Sequence, residues 1–402
     1  MKLTHLLKAL CIALVLAFGG SLANGAPQAS PSPTPSRDWV SHPVVVQVDK
    51  TRAVFAIGDI HADPGRLLGV LKALHIIDVG DRTDVSLAEL KMPPNAILVV
   101  TGDMIDNGPR TGGSSLRVIA MLRALQDSAP AVNSRVILLM GNHEAEFLAD
   151  WSGNKTEEFR MELEAKVREL RAQGKVQEAE AFVPRNVANC QGDLGRFLCD
   201  LPIAAKLSDW FFSHAGNTNG RTIAALSADI EAGFREVKNG VMVGFATPQL
   251  IGEGSILEAR LNDNKPGREI WINKLFNGAK NPQALLADYA NKLGVKHMVQ
   301  GHQPGKVEFP DGQNRGKWEI FQRYGLLFLI DSGMSRGIED NEDGRKSTGG
   351  GLRIAQAGYN GLDEVVTVWC ARSDGKIVYD GSVSASIWGA TYNIPIAARQ
   401  CR

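Results

Sequence analysis

An α/β fold is predicted, on three features of the chain. Short apolar runs of strand length recur at 53–57, 96–100, 136–140, 210–212 and 297–300. Between the first three, apolar residues recur at spacings of three and four, as Leu67, Leu68, Leu71 and Leu74 and then as Leu116, Ile119, Ala120, Met121 and Leu125. That is the period of a helix buried along one face. Each strand-like run also ends in a short polar motif, so the candidate functional residues gather at strand C-termini, where open α/β sheets build their sites.

Taken in order, residues 1–26 read as a cleaved secretory signal. Lys2 and Lys8 precede an apolar run, 10–18, and a small-residue stretch, 19–26. The run falls short of the roughly 20 residues that a membrane span needs, so no stable membrane association is expected after cleavage, and the mature protein is expected to be periplasmic or secreted. The Pro/Ser-rich 27–43 reads as a solvated linker, and 44–402 as one domain. Within it, 152–185 form an inserted helical segment whose charged stretch, 156–181, is rich in good helix formers. Both a cap over the site and a solvated surface helix fit its composition. Later strands are expected at 326–330, 365–371 and 376–379, with the Gly/Asp/Asn-rich 337–351 as a loop.

Lys+Arg and Asp+Glu each number 44, so nothing in the overall charge draws this chain to nucleic acid. Of five cysteines, Cys11 would leave with the signal. In an exported chain Cys190, Cys199, Cys370 and Cys401 can close in three pairings among which sequence does not choose; local closure, Cys190 with Cys199 and Cys370 with Cys401, is the expectation, with Cys370 equally readable as a buried small hydrophobe.

The motifs are Gly58-Asp59-Ile60-His61, Gly102-Asp103-Met104-Ile105-Asp106, Gly141-Asn142-His143-Glu144, Ser213-His214-Ala215-Gly216 and Gly301-His302-Gln303. A lone Gly-Asp or Gly-Asn pair is ordinary turn chemistry. Five strand ends supplying compatible ligands have no common structural reason. Phosphate-ester hydrolysis needs a strong nucleophile, neutralised phosphoryl charge and a proton for the leaving oxygen. Two metal ions about 3.5–4 Å apart meet the first two needs. Such a pair requires a shared carboxylate, and Asp103 is the best candidate. Asp59 and His61, two residues apart, would join it on the first metal. Asn142, His214 and His302 would hold the second, a mixed nitrogen and oxygen set suited to Mn, Fe or Zn as a divalent or mixed-valence pair. His143, beside a ligand but facing away from its metal, is the candidate general acid, and Asp106 the carboxylate that orients it. Glu144 is assigned to anchoring the loop.

In content and order these motifs resemble the calcineurin-like metallophosphoesterase superfamily, in its phosphoprotein phosphatase branch and the Shewanella-like protein phosphatase subgroup. The resemblance covers roughly 54–336. Pro304 stands where many superfamily members carry a further His, as in the phosphatase branch. Gly195-Arg196-Phe197-Leu198 ahead of Leu201-Pro202, and Asp331-Ser332-Gly333-Met334-Ser335-Arg336, are also similar to the subgroup. What the resemblance implies is a two-sheet αββα sandwich with metals at the sheet edges and the ligand and acid roles just given. It further implies a substrate arginine after Asp106. Here Asn107 stands in that place, with an amide to donate but neither charge nor a guanidinium fork. Arg110, on the same loop, is a candidate to replace it, and Arg260 is a loose match to a second arginine of the family between the two late histidines, each weighed against a surface role. The implied activity is phosphomonoester hydrolysis by metal-activated hydroxide, on phosphorylated proteins or peptides. Two alternatives stay open: a phosphatase of small phosphorylated metabolites or nucleotides, and a metal- or phosphate-binding module without turnover.

Overall fold

The computed structural model describes residues 37–49, 53–82, 84–261, 281–309, 312–338 and 349–354, and the backbone alone of 355–357, 363–371 and 377–379. The expected signal peptide and Cys401 lie outside the described residues.

Strands run in chain order as β1 (Val45–Val48), β2 (Ala53–Ile57), β3 (Ile97–Val100), β4 (Arg135–Leu138), β5 (Ala204–Leu207), β6 (Trp210–Ser213), β7 (Val237–Lys238), β8 (Val241–Met242), β9 (His297–Gln300), β10 (Phe321–Arg323), β11 (Leu327–Leu329), β12 (Gly350–Ala357), β13 (Asp363–Ala371) and β14 (Ile377–Tyr379). One sheet has the order β1-β5-β6-β9-β11-β10, the other β14-β13-β12-β2-β3-β4, and β7 pairs with β8 as a separate hairpin.

Strand alternation explains how the two sheets pack. Successive side chains point to opposite faces. Val54, Ala56, Val99 and Ile137 of one sheet meet Ala205, Phe212, Val299 and Phe328 of the other in one buried cluster. Their neighbours Phe55, Ile57, Leu98 and Val100 join Leu67, Leu71, Val118 and Leu122 in a second cluster beneath the helices. Strands covered on both faces carry no polar residues to alternate, so they read as continuous apolar runs. The architecture is a sandwich of two mixed sheets with helices outside, as the resemblance implies.

Helix α1 (Pro64–Ala73) is set by Asp63, whose side chain accepts from the Arg66 backbone N–H, and by Pro64 in its first turn. Helix α2 (Ser115–Ser128) has Ser114 in the same capping role. Helix α3 (Asn142–Ala149) starts inside the third motif. The inserted segment folds as α4 (Glu157–Ala172) and α5 (Val176–Glu180), separated at Gly174, whose φ of 74° ends the first helix. The buried stripe Phe159, Leu163, Val167 and Leu170 turns α4 inward. Phe159 packs edge-on against Phe147 of α3, ring centroids 4.8 Å apart.

Parallel register lines up the functional loops. Ile57, Val100 and Leu138 end β2, β3 and β4 side by side, so the first three motifs leave one sheet at the same level. In the other sheet Ser213 pairs with Gln300 and Gln300 with Leu329, which brings the His214, His302 and Asp331 loops to one edge.

Four differences from the sequence reading have physical causes. The packed chain starts before Val44: Arg37, placed in the linker, is buried and donates to the carbonyls of Cys199 (2.6 Å), Leu201 (2.7 Å) and His42 (3.0 Å). A lone cation in a Pro/Ser-rich stretch carries no signal of such bonds. Strands β1, β5 and β10 were not expected, since Gln47, Lys206 and Gln322 interrupt their short apolar runs. The 337–351 loop gives way to β12 at Gly350, where glycines masked a strand. The charged stretch is two helices rather than one. Among the described residues no helix is long and apolar enough to cross a membrane.

Candidate metal centre and active site

Asp103 stands at the middle of the site, after β3. Its backbone is fixed from below by Glu144, whose buried carboxylate accepts from the N–H groups of Asp103 (2.9 Å), Met104 (2.7 Å), Ile105 (3.2 Å) and Gly141 (2.8 Å). Burial, then the nearby Asp103 charge, push the Glu144 pKa up to about 6 against these bonds. The anchoring role expected of Glu144 is what the geometry provides. Glycine is required beside these loops because they touch: a Cβ on Gly141 would overlap the Asp103 carboxylate, and one on Gly301 the Asp59 carboxylate.

Backbone conformation follows the same crowding. His61, Asp103, Asp106, Asn107 and His302 have φ of 46°, 50°, 56°, 50° and 66°, left-handed values that non-glycine residues avoid at a cost of about 1–3 kcal/mol each. Their concentration at one edge marks a site whose surroundings hold it in shape.

The two oxygens of Asp103 have different work. Oδ1 accepts from the His143 backbone N–H at 3.0 Å. Oδ2 lies 3.7 Å from His61 Nε2 and 3.3 Å from His214 Nε2. One side chain therefore joins two groups of convergent ligand atoms, His61–Asp103–His143 and Asp103–His214–His302.

Carbonyl partners fix the ring tautomers of the second group. His214 Nδ1 sits 2.9 Å from the Thr101 carbonyl and His302 Nε2 3.1 Å from that of Glu258, so each of those nitrogens carries a hydrogen. The remaining His214 Nε2 and His302 Nδ1 face each other at 3.1 Å, and face Asn142 Oδ1 at 2.9 and 3.1 Å. With His214 neutral, these three atoms and Asp103 Oδ2 bring four lone pairs together with no hydrogen between them. A proton on His214 relieves part of this repulsion; a cation relieves all of it. The donor set therefore fits a metal ion, and its mixed nitrogen and oxygen chemistry suits a first-row metal.

Charge distribution agrees. Burial opposes ionisation of Asp103, but the His214 and His143 charges outweigh it and hold this carboxyl well below the usual range. Burial, with Asp331 and Asp103 close by, pushes Asp59 well above it. Burial and the neighbouring His214 charge hold His302 well below the ordinary imidazole value. Three buried carboxylates, Asp59, Asp103 and Asp331, at one edge call for positive charge.

Asp59 lies at the same edge, against the His302 loop. Both of its oxygens accept from the His302 backbone N–H, at 3.0 and 2.9 Å, and it stands outside the convergent His61 group, where His143 completes the trio. His143 Nδ1 is 3.7 Å from Asp106 Oδ2, an ion-pair separation, and Asn107 Nδ2 is 3.3 Å from His143 Nε2. Burial disfavours an imidazolium at His143, yet the Asp103 and Asp106 charges outweigh it and its pKa is raised.

A cleft of about 320 Å³ opens over these residues, lined also by Asn107, Lys155, Glu258, Arg260 and Asp331. Arg110 is exposed and absent from that lining, because the left-handed turn at Asn107 and the Gly108-Pro109 that follows carry it away. Lys155 and Asp331 were missed as site residues. Asp331 could have been found from its place after a strand; Lys155 has no local motif.

The inserted segment belongs to the site. The Phe159 N–H, in the first turn of α4, donates to Asp106 Oδ1 at 2.9 Å. Glu162 accepts from Ser114 Oγ (2.5 Å) and from the Ser115 and Leu116 N–H groups (2.9 and 3.3 Å), and Glu158 from the Gly108 N–H (3.1 Å). The solvated-helix alternative is thereby corrected: three side chains or backbone groups of α4 hold the Asp106 loop. Arg336 ties the other side, donating through Nε and NH2 to Asp63 at 2.8 and 2.9 Å. The expected bridge between Cys190 and Cys199 is present.

Comparison with known proteins adds three findings. The family model described as calcineurin-like phosphoesterase matches residues 53–306. An uncharacterized protein of Schizosaccharomyces pombe is 33% identical over 101 residues, 25% of this chain and 27% of that protein, so the match spans about a quarter of the relative's length. Among solved structures, a mutant of a cold-active protein tyrosine phosphatase is 17% identical, with a TM-score of 0.50 over 83% of this chain and 81% of that one. The cold-active protein-tyrosine phosphatase of a psychrophilic Shewanella species is likewise 17% identical, with a TM-score of 0.49 over 83% and 81%. At such identity the likeness is one of fold.

Proposed function

The chain belongs to the calcineurin-like phosphoesterase family, and from that premise we propose that it is a metal-dependent phosphatase cleaving phosphomonoesters, with phosphorylated proteins or peptides as substrates. The observation that carries this reading is Asp103 Oδ2, in reach of both ligand groups while His214 Nε2, His302 Nδ1 and Asn142 Oδ1 converge beside it. Asp59, His61 and Asp103 would hold one cation, and Asp103, Asn142, His214 and His302 the other. Mn, Fe and Zn all suit the donors. When bound, such a pair supplies Lewis acidity, lowering the pKa of water and neutralising phosphoryl charge.

The chain's own residues supply the rest. His143, its pKa raised, carries the proton for the leaving oxygen, and Asp106 orients the ring from the Nδ1 side. Asn107 and Arg260 line the cleft, where each is a candidate to meet the phosphoryl group. Arg110 is withdrawn from this role by its position on the surface.

A second substrate reading, hydrolysis of small phosphorylated metabolites or nucleotides, is favoured by the neutral Asn107 and by a cleft of about 320 Å³. We also propose export to the periplasm or medium. Its support is the charged and apolar order of residues 1–26 together with the Cys190–Cys199 bridge, a bond at home in oxidising compartments.

The test is turnover of an aryl phosphate with and without chelator, then phosphate release from a panel of phosphopeptides, nucleotides and sugar phosphates. Chelator-sensitive turnover with release from peptides is expected. Release from small phosphoesters alone would remove the protein-phosphatase reading, and chelator-insensitive turnover the metal-dependent one.

A further inference from the structure

One cation of the cleft is announced by no motif. Lys155 sits on the tight turn Asn154–Thr156 that opens the inserted segment, and it lines the cleft beside Asn107, His143 and Arg260. Its ammonium pairs with Glu146 and, at 3.3 Å, with Glu258. These carboxylate side chains are mostly buried, 11% and 16% exposed, whereas the lysine keeps 56%.

Both partners are tied to candidate metal ligands. The second oxygen of Glu146 accepts from Asn142 Nδ2 at 3.4 Å, and the Glu258 carbonyl holds His302 Nε2 at 3.1 Å. The ammonium is thus aimed by groups that also orient the metal centre, so its place relative to that centre is built in. An ammonium carries three N–H bonds. Two directed at carboxylates leave the third without either glutamate, on a side chain that lines the cleft.

We propose that Lys155 is the charged phosphate-binding residue of this site, donating to a non-bridging oxygen of the substrate's phosphoryl group. The inference deepens the phosphatase reading and rests on it. A compact point charge on a flexible stem can follow a tetrahedral phosphoryl group without the planar match that a guanidinium requires. The two glutamates remove much of the rotamer freedom that such a stem otherwise loses on binding. Asn107, across the same cleft, brings only a neutral amide, so the charge enters from the inserted segment instead of from the second motif's loop.

The test uses the full chain loaded with Mn and titrated with inorganic phosphate by calorimetry, unsubstituted and as Lys155→Met, Lys155→Arg and Arg260→Met, with metal content measured for each. Lys155→Met is expected to weaken phosphate binding by about tenfold or more at unchanged metal content, as loss of a charge-assisted hydrogen bond should. Lys155→Arg should retain binding to within about threefold, since charge and donors remain. Unchanged phosphate affinity in Lys155→Met would overturn the proposal, as would metal content falling in step with affinity, which would make Lys155 a structural support for Glu146 and Glu258. A larger loss in Arg260→Met than in Lys155→Met would overturn it in favour of the arginine. Absence of phosphate binding by the unsubstituted protein would instead overturn the phosphatase reading beneath it.

Discussion

His143, the proposed general acid, has neighbours on three sides. Its backbone N–H is held by Asp103 Oδ1, its Nδ1 faces Asp106 and its Nε2 faces Asn107. None of these makes the ring part of the two-histidine cluster of His214 and His302, so the ring can be changed while that cluster stays. We predict that His143→Asn lowers kcat by about 10²–10⁴-fold, the usual weight of general acid catalysis, at unchanged metal content. Parallel loss of metal and turnover, read by metal analysis beside kinetics, would show that the imidazole is a ligand instead. The convergent His61–Asp103–His143 trio makes this a real contest. Asp59 is the residue on the other side of it, its two oxygens sharing one His302 backbone N–H and keeping lone pairs for a cation.

Among the elements, α4 is the one whose function the sequence hid. Its charged face gave the composition of a solvated helix, and the residues that matter, Glu158, Phe159 and Glu162, bond to backbone N–H groups and a carboxylate of loops about 50 positions away. Spacing along one chain cannot express such bonds. By contrast Asp59, Asp103, Asn142, His214 and His302 were legible, because each follows a strand in a short motif and close loop contact dictates the glycine before four of them. The sheets were legible where strands are buried on both faces and so read as apolar runs; β12, opening with two glycines, and β1, interrupted by Gln47 and only partly buried, were not. We predict that Glu162→Ala frees the start of α2 and the Asp106 loop, lowering kcat about tenfold or more while metal content holds, as removal of an orienting hydrogen-bond partner does. Unaltered kcat would return α4 to the status of a surface helix.

At the scale of the whole molecule, the sandwich contains an acid-sensitive point remote from the cleft. His297 begins β9, is 2% exposed, and packs against Trp210 with ring centroids 4.2 Å apart. Its Nδ1 lies 2.6 Å from the Gly325 carbonyl, and burial pushes its pKa down to about 4. Unfolded, the same ring titrates near 6.5. Between those values the unfolded chain binds one more proton than the folded one, so stability is full above the higher value and falls with pH by about 1.4 kcal/mol per unit down to the lower. In urea unfolding at pH 7 and pH 5, His297→Phe should lose about 2 kcal/mol less stability than the unsubstituted chain over that interval. Equal losses would mean that the ring is protonated in the folded state.

The two sheets matter to function because their aligned strand ends bring the Asp59, Asp103 and Asn142 loops against those of His214 and His302, and everything claimed for the chemistry depends on a pair of cations meeting at Asp103. The direct measurement is an anomalous-scattering map of crystals loaded with Mn. It should hold two peaks about 3.5–4 Å apart on either side of Asp103 Oδ2, one beside His61 and the other among Asn142, His214 and His302. A single peak, or peaks away from Asp103, would contradict the account.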